Sequence, residues 1–235
     1  MRWRTVLLLG IVVLLAGAAA AHVQIARSLA SRPVALPSIW DPSPTPRRSE
    51  SASKQGMRMV RVPWSGPRTF VTARHRVDAP GAEGLRRVLI RMESNLDLDG
   101  ALLADEILQT LNHPRGWRHV AGVRFGLTDR PAEADVVITL ATPATTDSLC
   151  APLLTRGQLS CQHDRAVVLN ALRWVQGATS YGTDVANYRR YMVNHEVGHW
   201  LGRGHVSCPR PGAVAPVMLQ QTKGLQGCRP NPWPR

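Results

Sequence analysis

The 235-residue sequence predicts an α+β fold, with a small mixed twisted sheet, one crossover helix and a second helix that carries the chemistry. Three observations lead there. Five short segments are rich in β-branched and aliphatic residues. Two longer ones space their apolar residues at helical intervals. The order strand, helix, strands, helix is that of α+β, or of mixed α/β with one crossover helix over a small sheet. At 44% hydrophobic residues the chain can bury one core, and its length suits one domain with appendages.

The elements follow in order. Thr69 to Val77 is the first strand and Arg87 to Glu93 the second. A helix from Asp99 to Asn112 has Leu102, Leu103, Ile107, Leu108 and Leu111 at helical spacing and stops before Pro114 and Gly116. Val120 to Leu127, Asp135 to Leu140 and Ala166 to Asn170 are the remaining strands. The last helix runs from Asp184 to about Leu201, with Thr183 or Asp184 as its cap. Along it Val185, Tyr188, Met192, His195 and His199 recur at alternating spacings of 3 and 4, a buried stripe that ends in histidines.

Two appendages precede the domain. Arg2 and Arg4 lead an uncharged, largely apolar run that ends in small residues, so residues 1–26 read as a signal peptide or signal anchor. Residues 27–56 hold five prolines and many serines, a semi-rigid linker. The folded domain is then 57–235. Either form of signal puts it outside the cytoplasm, secreted or anchored to the outer face of the cytoplasmic membrane.

The net charge is +13, from 29 Lys+Arg and 16 Asp+Glu. Such a balance ordinarily suggests a polyanion partner. Export argues against nucleic acid, and the bias toward arginine, with Lys54 and Lys223 the only lysines, suits GC-rich coding. The domain keeps +8, which leaves an anionic cell-envelope surface as a contact. The four cysteines, Cys150, Cys161, Cys208 and Cys228, are even in number and lie in an exported chain, so they read as disulfides. Three pairings are open, and neighbour pairing is preferred.

The segment from His195 to His205 reads H-E-x-x-H-x-x-G-x-x-H. On a helix, His195 and His199 stand one turn apart on the same face and can converge on one ion. Gly202 lets the chain leave the helix sharply. His205 can then swing back as a third ligand. Three neutral imidazoles with one open position make a catalytic zinc site, one ion per chain, and Glu196 beside it is the candidate general base and acid. A calcium loop is weighed at Asn95 to Gly100 with Glu106, and set aside for a helix cap at Asp99. Tyr181, Tyr188 and Tyr191 are read as core or helix-face residues. Trp117, Trp174 and Trp233 are read as loop packing.

This pattern, with a later methionine turn at Pro216-Val217-Met218-Leu219, resembles the metzincin metallopeptidases. From Gly116-Trp117 to the C-terminus the chain also looks like an uncharacterised family of exported actinobacterial proteins with a predicted metzincin domain. The matching pieces are Cys150-Ala151-Pro152-Leu153, Val167 to Asn170, Asn194-His195-Glu196, Ala215 to Met218 and Cys228 to Trp233. The resemblance implies a zincin fold, zinc dependence, peptide-bond hydrolysis and a supporting role for Met218 under the histidines. Two departures stand out. Gln220 occupies the place where some metzincins carry a tyrosine, and no cysteine precedes Cys150 to mask the metal. The expected protein is therefore a monomeric exported zinc endopeptidase acting on peptides or proteins. The alternative is a cell-surface binding module that holds zinc without turnover.

Overall fold

Parallel pairing on both sides of one long strand organises the domain. The computed structural model describes residues 60–73 and 84–235. The expected signal or anchor of 1–26, the expected linker of 27–56 and the expected strand beyond Ala73 lie outside the described residues. The chain divides after Met57, and the second unit, Arg58–Arg235, holds all that is described here.

Six strands form one mixed sheet: β1 (Phe70–Thr72), β2 (Leu85–Glu93), β3 (Arg124–Leu127), β4 (Val136–Ala141), β5 (Cys161–His163) and β6 (Ala166–Asn170). The order is β1-β2-β4-β6-β5, and β3 also pairs with β2. β2, β3, β4 and β6 run parallel, while β1 and β5 are antiparallel to their neighbours. One side of β2 is shared: its first half takes β3, its last residues take β1. Parallel neighbours need crossovers. α1 (Gly100–Leu111) and α2 (Trp117–Ala121) lie between β2 and β3, and α3 (Pro143–Cys150) lies between β4 and β5. α4 (Ala171–Gln176) and α5 (Val185–Trp200) follow β6.

Strand alternation decides which face meets which helix. Val88, Ile90, Met92, Val136, Ile138, Leu140, Val167 and Leu169 enter the main core with Ile107, Leu111, Tyr188 and Val197 from α1 and α5. Ala141 and Val168 pack instead with Cys150 and Cys161, in a smaller cluster beside α3. The two long helices have the expected ends. Asp99 caps α1 by accepting from the Ala101 and Leu102 amides, and Asp184 caps α5 by accepting from Asn187 N. Asp99 is thus a helix cap, and Glu106 of the weighed calcium loop pairs with Arg189 of α5 at 3.1 Å.

One predicted strand is corrected. Val120 to Leu127 is not continuous: α2 runs to Ala121, Gly122 ends it and β3 begins at Arg124. The cause is Trp117, which is buried and donates from Nε1 to Asn194 O of α5, pinning a short helix where β-branched residues suggested a strand. No described helix is long and apolar enough to cross a membrane.

A buried carboxylate ties the N-terminal end of the domain to the sheet. Glu93, fully buried at the end of β2, accepts from Thr142 N (2.9 Å), Arg68 N (2.9 Å) and Thr145 Oγ1 (2.8 Å). Burial pushes its carboxyl up, but these hydrogen bonds outweigh it and hold the group below its ordinary value. Gly66 lies so close that a Cβ there would stand 2.2 Å from Glu93 Oε1.

Candidate metal centre

α5 supplies the first two candidate ligands, because its buried face carries them toward the sheet. From Tyr191 to Gly198 every residue is buried, and His195 is only 5% exposed. His195 Nδ1 lies 2.8 Å from Val217 O, and His199 Nδ1 lies 2.8 Å from Arg203 O. A carbonyl only accepts, so both Nδ1 atoms carry the hydrogen and both Nε2 atoms present lone pairs. Those Nε2 atoms face each other at 3.3 Å, and His199 Nε2 is 2.9 Å from His205 Nε2. Two facing lone pairs repel unless a cation lies between them. Tetrahedral zinc with bonds of about 2.0–2.1 Å spaces its ligand nitrogens at roughly 3.3–3.4 Å. The three histidines form a group that can hold a metal ion.

The turn that brings His205 round is built from α5's exit. Gly202 adopts φ +80°, a left-handed conformation that glycine takes without steric cost. Its amide donates to His199 O and that of Arg203 to Gly198 O, closing the helix end. Val206 N then donates to Met218 O at 3.2 Å, so the residue after the third histidine is tied to the methionine turn. That turn is real: Leu219 N donates to Pro216 O at 3.0 Å. The turn also approaches α5 closely. A Cβ on Gly198 would stand 2.5 Å from Met218 Sδ and 2.8 Å from Trp117 Cζ2, so only glycine fits between them. Met218 is buried in the main core.

Both disulfides form in the preferred neighbour pairing. Cys150–Cys161 closes the loop between α3 and β5, and Cys208–Cys228 closes the segment that contains the turn. Such bonds belong to an oxidising compartment.

The electrostatics suit neutral ligands and a protonated carboxyl. Burial pushes the His195 imidazole down to about 3, and burial followed by the charges of His199 and Lys223 holds His205 below its ordinary value. Burial alone raises the Glu196 carboxyl to about 8. Glu196 is 7% exposed and lines, with the three histidines, a cleft of about 350 Å³.

A match to a family model described as "Protein of unknown function (DUF3152)" spans residues 61–230. The chain belongs to the DUF3152 family. The DUF3152 span contains the three histidines, Glu196, Gly202, Met218 and all four cysteines. No curated protein and no solved structure matches.

Several contributors to this DUF3152 site went unread in the sequence. Tyr191 is in the core as expected but also lines the cleft, with its ring 5.3 Å from that of His195. Its hydroxyl donates to Leu219 O and accepts from Gln221 N, fixing the segment after the turn. Gln221, fully buried, holds Tyr181, Pro216 and Asn231 together. Trp117 and Trp233 pack as expected, Trp233 stacked on His113. A surface-polar glutamine such as Gln221 carries no sequence signal of burial. Gly198, inside the motif between Glu196 and His199, was legible only as a variable position.

Proposed function

We propose that this chain is an exported, zinc-dependent endopeptidase of the metzincin type. The observation that carries this reading is the convergence of the Nε2 atoms of His195, His199 and His205, 3.3 and 2.9 Å apart in succession, beside a buried carboxyl with no hydrogen-bond partner among the described residues. The donor set of three imidazole nitrogens suits zinc, and His195, His199 and His205 would hold it. When bound, zinc supplies a Lewis acid that polarises water and the peptide carbonyl.

The chain's own residues do the rest. Val217 O and Arg203 O fix the tautomers and ring orientations of His195 and His199. Glu196, ionised by the cation's field, takes a proton from the attacking water and delivers it to the leaving amine. The two disulfides and the apolar N-terminal run support export.

The test is metal analysis and a diverse peptide library applied to the wild type and to Glu196→Gln. The expected result is about one zinc in each protein, with cleavage by the wild type alone. Zinc in both with cleavage by neither would favour a binding module; absence of zinc would remove both readings.

A further inference from the structure

The cleft over the histidines is chemically lopsided. The loop closed by Cys150–Cys161 contributes Leu153, Leu154 and Leu159, and the segment after the methionine turn contributes Gln220, Thr222 and Lys223. Leu153 and Leu154 are 54% and 77% exposed, an arrangement that a free loop would relieve by turning them inward. This loop is pinned. Asp147 Oδ1 accepts from Gly157 N at 2.7 Å and from the Thr155 hydroxyl, Leu153 N donates to Cys150 O, and the Trp64 ring sits on Gly157. The leucines are therefore presented on a rigid frame, which lowers the ordering cost of binding.

Lys223 is the lone lysine among the described residues, and no arginine joins it in the lining of the cleft. Its ammonium donates to Gln220 Oε1 at 3.2 Å and pairs with no described carboxylate. It lines the same cleft as His205. The other charged group in the lining is Glu196, which is buried and committed to the reaction proposed above. A free cation beside a cleft attracts an anionic ligand group at short range.

We propose that Lys223 selects peptides that bear a carboxylate, and that Leu153 and Leu154 take a bulky aliphatic side chain of the same peptide. This rests on the reading that the cleft takes a peptide. A side-chain carboxylate and a free C-terminal carboxylate offer the same chemistry to the ammonium.

The experiment uses the full chain with zinc present, carrying Glu196→Gln so that bound peptide survives, and titrates it with peptides labelled by an uncharged dye. One peptide carries Leu and Asp with an amidated C-terminus. The second has Asn for Asp, the third has Ala for Leu, and the fourth has Asn with a free C-terminal carboxylate. At low salt the Asp peptide should bind about three- to fivefold tighter than the Asn peptide. Adding Lys223→Met should erase that difference and Lys223→Glu should invert it. Replacing the peptide's Leu by Ala should weaken binding about tenfold, and much less when Leu153 and Leu154 are both serine. A tighter fourth peptide identifies the C-terminal carboxylate as the source; a tighter first peptide identifies the side chain. Equal affinity for all four peptides, a carboxylate preference that survives Lys223→Met, or no binding at all overturns the inference. Preference without cleavage by the wild type removes the peptidase reading and keeps this one. Cleavage indifferent to the carboxylate does the reverse.

Discussion

Glu93 and Glu196 are both buried glutamates, and they titrate in opposite directions. Glu93 accepts three hydrogen bonds, two of them from backbone amides, and stays below its ordinary value. Glu196 has burial alone acting on it and rises to about 8. The difference teaches that burial does not set a carboxylate's role; its donors do. A carboxylate surrounded by donors is a joint, holding the Gly66–Thr69 segment, β2 and the start of α3 together. One without donors keeps its proton until a nearby cation stabilises the ionised form, and it can then exchange that proton.

Four experiments press on that contrast. On the peptidase reading proposed above, the largest effect is expected at Glu196→Gln, where turnover should fall by about 10²–10⁴ while zinc content is unchanged; equal turnover would put the proton transfer elsewhere. The next is in pH. Between 4.5 and about 8 the folded, metal-free protein keeps a proton on Glu196 that the unfolded chain releases. The stability this group contributes is fully present below pH 4.5 and is lost as pH rises through 8, by up to about 5 kcal/mol. Urea denaturation of the metal-free wild type against Glu196→Gln at pH 5 and pH 8 isolates it, because the His195 contribution is common to both. Glu93 has the opposite sign, its contribution being present above the ordinary carboxylate range and lost as pH falls. Glu93→Ala leaves three donors unpaired and should cost about 3 kcal/mol with little change in metal affinity. The smallest effect is expected at Gly66→Ala, where the intruding Cβ should cost about 2 kcal/mol, read as a lowered Tm with wild-type zinc content.

The candidate ligands were legible because metal binding needs rare residue types at a helical spacing. His195, His199, Gly202 and His205 announce themselves that way, and the strands with strong aliphatic runs, β2, β4 and β6, fall where composition puts them. What could not be read depended on partners far along the chain. α3 has no apolar periodicity, since it buries Thr145 and Thr146 through hydrogen bonds to Glu93 and Ala141 O. β5 is three residues long and gives no pattern at all. Glu93 looks like the polar end of a strand until Arg68 and Thr142 are seen to cover it. Trp117 overrides the strand character of Val120 because its indole finds an acceptor 77 residues away.

The divided outer side of β2 bears on how the protein coexists with its neighbours. A nine-residue strand left open would be a ready template for another chain's backbone. Here its outer side is taken by β3 and β1, of four and three residues, and the far side of the sheet ends in β5, again of three. Among the described residues no edge offers a run longer than four to a stranger, so the sheet resists edge-to-edge aggregation by the brevity of its borders.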